Sequence, residues 1–115
     1  MTSIALLVHQ YHAAASQHRQ ATERGDASTA NQKHAQLMRA YRTLKRQGEA
    51  AVAQLVPLLD NHDPAVASWA ATHLLPSHEQ QARAALQRIS QLSGVVALGA
   101  TMVLQEWVNG RLRID

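Results

Sequence analysis

Seven histidines are the first residues of this chain that could do chemistry. His9 and His12 stand three apart, so on a helix both imidazoles share one side and could reach one metal ion. The motif is incomplete, because no His-Glu-x-x-His string is present and no acidic third ligand stands on that turn. Both are therefore read as polar residues of a helix surface, and no metal site is expected. His18 falls on the apolar side of the same segment, where a hydrogen-bonded core or rim residue is expected. Asp60, His62 and Asp63 crowd into one turn, which suggests acid–base work. The same spacing is explained structurally: Asp63 caps a helix, and Asp60 and Asn61 make the turn. There is no Gly-x-Ser-x-Gly elbow and no glycine-rich phosphate loop. The absence of Cys excludes disulfides, thiolate zinc sites and Cys nucleophiles. No catalytic residue and no cofactor is expected, and the chain reads as non-enzymatic.

The stronger candidates are for binding. At ~100° per residue, Arg39, Arg42 and Arg46 fall within about 60° of one another, opposite Leu37, Ala40 and Leu44. Lys45 flanks that stripe, whereas Lys33 lies on the apolar side. Three aligned guanidinium groups could grip phosphates or an acidic protein. The plainer reading is the solvated face of an amphipathic helix. Tyr41 lies nearer the apolar side, so the aromatic interleaving of single-strand binders is missing. Trp69 and Trp107 are the only indoles. An exposed Trp69 would be an interaction hot spot. In an alanine-rich helix the alternative is that it serves as packing bulk.

These side chains need elements to hold them, and the punctuation supplies six. Gly25 to Thr29, Gln47-Gly48, Asn61 to Pro64, Pro76-Ser77, Ser93-Gly94 and Asn109-Gly110 separate apolar-patterned segments of helix length. Ile4 to Arg24 carries Ile4, Leu7, Val8, Tyr11, Ala15 and His18 on one face. Ala30 to Arg46 carries Leu37, Ala40, Tyr41 and Leu44, with Ser28 or Thr29 as its N-cap and Gly48 at its end. The third segment runs from Glu49 to Leu59, kinked or shortened at Pro57. The fourth starts at Asp63-Pro64 and stops before Pro76. The fifth starts in a Ser77…Gln80 capping box and ends at Gly94. The sixth spans Val95 to Val108.

An internal repeat decides how they are arranged. At an offset of 30 positions, Ala40, Ala70 and Ala100 align, as do Leu44, Leu74 and Leu104, Val66 and Val96, and Ala67 and Ala97. Small residues with a Leu one turn on allow close helix approach. The expected fold is therefore all-α: one domain over residues 1–115, a short α-solenoid of three helical hairpins. Residues 1–48 form an atypical capping hairpin, 49–75 the clearest repeat and 77–110 the last.

The string LVPLLDNHDPAVASWAATHLL resembles a HEAT-type repeat, with Leu55, Leu58, Leu59, Asp60, Asp63, Val66, Ala70, Ala71 and Leu74 at matching positions. It departs at Ala67, where that pattern carries Arg or Lys. The stretches WAATHLLP, ALQRISQL and GATMVLQEWVNGRLRI are similar to a small bacterial domain of unknown function with a HEAT/armadillo-like fold. That resemblance spans roughly Glu49 to Arg113. It implies an adaptor or an immunity protein neighbouring a toxin gene, and it carries over no catalytic residue.

Composition agrees with a binding module. The chain of 115 residues is 46% hydrophobic and only 3% aromatic, so the core must be built from Ala, Leu and Val. Residues 1–48 hold seven Lys/Arg against two Asp/Glu, and the remainder four against six, so the basic excess lies in the first half. Glu49, Asp60, Asp63 and Glu79 could form a local acidic patch in the second. No apolar run reaches the ~18 residues of a membrane span. No basic stretch precedes the first apolar residues, so a cytoplasmic protein with no membrane contact is expected. The expected function is a protein-binding adaptor, an immunity-type inhibitor of a toxin domain being one form of it. The alternative is a nucleic-acid-binding helical domain using the basic stripe.

Overall fold

The computed structural model describes residues 2–114. Among them there is no β-strand, and six α-helices account for most of the chain. The chain forms two compact units that divide between Leu55 and Val56. The division falls inside the stretch expected as a single repeat.

The first unit is built on a hairpin of α1 (Ile4–Glu23) and α2 (Ala27–Gln47), which pack along each other. Ser3 starts α1 by accepting the Leu6 N–H at 3.0 Å. At the other end Gly25 adopts φ +74°, which a β-carbon would resist. The Gly25 N–H bonds to the Thr22 carbonyl, and the Asp26 N–H to the Ala21 carbonyl. This paired closure satisfies two carbonyls that the helix end leaves open. Leu7, Tyr11 and Ala15 of the expected face are buried, Val8 and His18 are half-buried, and Ile4 lies at the exposed margin. On α2 the expected face is buried in full: Leu37, Ala40, Tyr41 and Leu44.

The cap of α2 differs from expectation. Asp26, rather than Ser28 or Thr29, accepts the Thr29 N–H at 3.1 Å, and the helix starts at Ala27. A carboxylate at the positive helix end is the stronger acceptor, so it takes the position from the nearby hydroxyls. Gly48 then turns the chain at φ +114° into α3 (Glu49–Val52). The third helix does not run on to Leu59 as an α-helix. From Ala53 to Asp60 it tightens into 3-10 winding. In α geometry the Pro57 ring would collide with the carbonyl four residues back, which belongs to Ala53.

The second unit holds α4 (Pro64–Leu74), α5 (Glu79–Ser90) and α6 (Val95–Val108), each packed against the other two. Asp63 is only 8% exposed and caps α4 by accepting the Ala65 N–H at 3.0 Å, with Pro64 at the first helical position. Asn61 in turn accepts the Asp63 N–H at 2.9 Å. The capping box expected at Ser77 is not made. The Ser77 hydroxyl lies 2.9 Å from Nδ1 of His78 in a hydrogen bond, and α5 starts at Glu79 with no side-chain cap. The helix also ends at Ser90, short of Gly94. Arg88 of α5 donates to the Leu59 carbonyl at 2.7 Å, satisfying the open end of the 3-10 segment. At the end of α6 the closure seen after α1 recurs. The Gly110 N–H bonds to Trp107, the Arg111 N–H to Glu106, and Gly110 takes φ +70°.

The aligned positions of the repeat are largely interior. Ala40, Ala70 and Ala100 are all buried, as are Ala67 and Ala97. Leu44 and Leu74 have no exposed surface, whereas Leu104 and Val96 are half-buried.

Candidate binding surfaces

The expected cationic stripe lies on one long helix. Arg39, Arg42, Lys45 and Arg46 are all exposed on α2, and that helix contains no Asp or Glu. Its polar face is therefore cationic without an acidic neighbour in the same helix to neutralise it. Arg46 donates to the Thr43 hydroxyl at 3.2 Å, and the Lys45 ammonium sits 6.0 Å from the Tyr41 ring centroid. The tyrosine itself is buried, so the sheltered ring steadies one member of the stripe. Lys45 and Arg46 also fall in the last turn of α2, where the helix dipole favours positive charge.

Trp69 is half-buried on α4. Its indole stacks on the imidazole of His73, with centroids 6.0 Å apart and planes inclined by 27°. His73 is itself buried, so the pair fills space along one face of α4. Trp107 donates its indole N–H to Glu79 at 3.0 Å, which ties α6 to the start of α5.

Three of the acidic residues of the second half have polar neighbours. Asp63 is a buried cap, Glu79 also receives Arg83 at 3.4 Å, and Asp60 lies 3.8 Å from Arg88. Glu49 is exposed in α3. His9 is exposed and His12 half-buried on α1. Among the described residues no three His, Asp or Glu come close enough to share a metal ion. His18 meets His34 of α2 at 6.2 Å between centroids. Partial burial, and then the neighbouring imidazole, hold the His18 pKa below its ordinary value. A shallow depression lined by Ile4, Ala5, Val8, Ala50 and Gln54 carries no ionisable side chain.

One surface was not singled out from the sequence. On α6, Val95, Leu98 and Met102 are 80%, 62% and 56% exposed. At ~100° per residue they fall within about 60° of one another, opposite the buried Ala97, Ala100 and half-buried Leu104. Leu92, in the preceding turn, and Val108 are exposed as well. No charged residue stands between Arg88 and Glu106. The available signal was the composition of the stretch VVALGATMVL, in which apolar residues fall on both sides of the helix before Gln105 and Glu106. A helix apolar on both sides needs a covering on both, and the described fold covers only part of it.

Among the described residues, no helix is long and apolar enough to cross a membrane. Comparison of the chain with protein families, curated protein sequences and solved structures finds no match.

Proposed function

We propose that this chain is a non-catalytic protein-binding domain, of the adaptor type, which engages its partner through the outer face of α6. The observation that carries this reading is the exposed Val95, Leu98 and Met102 row on a segment free of charge. Contiguous exposed apolar surface on a folded helix is costly to keep in water and marks sites of contact. The placement of several ionisable groups supports the same reading: buried Asp63 caps α4, and the exposed Arg88 and Glu79 tie neighbouring segments together. A partner matched to α6 is apolar at the contact. A photo-crosslinking amino acid at position 98 should capture protein, and the same group at exposed Gln32 should not. Equal capture at both positions would refute the assignment.

A second reading is favoured by the acid-free α2. Its four exposed cations, Arg39, Arg42, Lys45 and Arg46, form a surface suited to a phosphate backbone. Affinity for single- or double-stranded DNA or RNA should then fall steeply with salt. Replacing the three Arg by Gln should flatten that slope by about three counterions. No binding at low salt would end this reading.

A further inference from the structure

We infer that the partner of the α6 face is a second copy of this chain, bound through a two-fold axis over the Leu98–Gly99 peptide bond. The inference rests on the protein-binding reading above and names the occupant of that surface.

The first argument is Gly99. A glycine in the middle of a helix weakens it, and the usual reason to keep one is close approach of another backbone. Among the described residues nothing outside its own helix turn approaches: a β-carbon at Gly99 would meet no such atom within 4 Å. The glycine has no packing purpose in the isolated chain, and it borders the exposed apolar row.

The second argument is the symmetry of that row. Along α6, Val95 and Met102 lie equally far on either side of the Leu98–Gly99 bond. A two-fold axis there, with the helices antiparallel, sets Val95 of each copy opposite Met102 of the other. It pairs the two Leu98 side chains on one flank and the two Gly99 residues on the other, where the backbones can close up. An isologous contact requires such a self-complementary patch.

Charge points the same way, and area limits the strength. Although the chain carries a net +3, no charge stands between Arg88 and Glu106, so two copies meet here without opposing like charges. Two α2 faces, each rich in Lys and Arg, would repel. At the exposures given above, Val95, Leu98 and Met102 offer roughly 350 Å² per copy, less than half of the ~800 Å² per partner of a stable complex. The dimer is therefore weak and concentration-dependent.

Sedimentation velocity across roughly 5–500 µM should show a monomer–dimer equilibrium in that range. Leu98→Glu should weaken it at least about tenfold, because it removes the central contact and opposes two charges. Gly99→Ala is the sharper variant: the monomer has room for the methyl group, so it should melt no lower than the parent while its dimer weakens. The chain has no Cys, so a single Leu98→Cys should give a disulfide-linked dimer under mild oxidant, and Leu6→Cys, also exposed, should not. A monomer at every concentration would overturn the inference. If position 98 still captures another protein in that case, the protein-binding reading stands with a different occupant. A dimer indifferent to both Leu98→Glu and Gly99→Ala would also overturn it, by placing the contact elsewhere.

Discussion

Leu74 and Leu104 occupy equivalent places in the 30-residue register, yet the fold treats them differently, and this difference gives a quantitative test. Leu74 has no exposed surface, whereas Leu104 is half-buried on α6. Truncating a fully buried leucine loses its transfer free energy and leaves a cavity, which costs about 3–5 kcal/mol. At Leu104 part of the side chain is already wet and the cavity opens to solvent, so Leu104→Ala should cost less, about 1.5 kcal/mol. Both residues lie in the second unit, so one unfolding transition can report both variants. Urea titration followed by circular dichroism should displace the midpoint for Leu74→Ala at least twice as far as for Leu104→Ala, with slopes unchanged. The equivalent position in the first unit, Leu44, is as enclosed as Leu74 and should match its cost in that unit. Equal losses at Leu74 and Leu104 would refute the reasoning, because they would mean that the inner side of α6 is as enclosed at its end as that of α4.

Other perturbations follow from the caps and the histidine pair. Asp63→Ala removes a buried acceptor from the start of α4 and should cost about 1–2 kcal/mol by chemical denaturation, while Asp63→Asn should recover most of it. Gly25→Ala places a β-carbon at φ +74° with no steric neighbour, so its cost is backbone strain alone, about 1–2 kcal/mol. His18 is held below its ordinary pKa by burial and by His34, so the unfolded chain takes up the proton first as pH falls. Its contribution is complete above the unfolded pKa near 6.5 and is lost as pH falls from there toward the depressed folded value. His18→Gln should flatten the rise in melting temperature between about pH 5 and 7, and an unchanged slope would count against the pairing.

What could be read from the sequence was whatever a local rule controls alone. Asp63-Pro64 announced the start of α4, and Gly25 and Gly110 announced ends, because a cap acceptor, a fixed φ and a positive φ are each local demands. The Ser77…Gln80 pattern misled because it satisfies a local rule that a competitor wins: the Ser77 hydroxyl has the His78 ring beside it and leaves the helix start uncapped. The cap of α2 was misplaced by two or three residues because Asp26, Ser28 and Thr29 are all acceptable caps and only their relative strength separates them.

The two candidate surfaces mark the same boundary between local and distant causes. On α2, apolar and polar residues alternate with the helical period, so Leu37, Ala40, Tyr41 and Leu44 had to point inward and Arg39, Arg42 and Arg46 outward. On α6 both sides are apolar, and periodicity carries no information about which one the fold will cover. Ala97 and Ala100 are buried because α4 and α5 lie against them, and Val95, Leu98 and Met102 are exposed because neither does. That choice is made by packing between distant parts of the chain. The residues left over from it are also those best suited to meet another molecule: they are already apolar, are backed by a packed helix, and border a glycine that their own fold does not use.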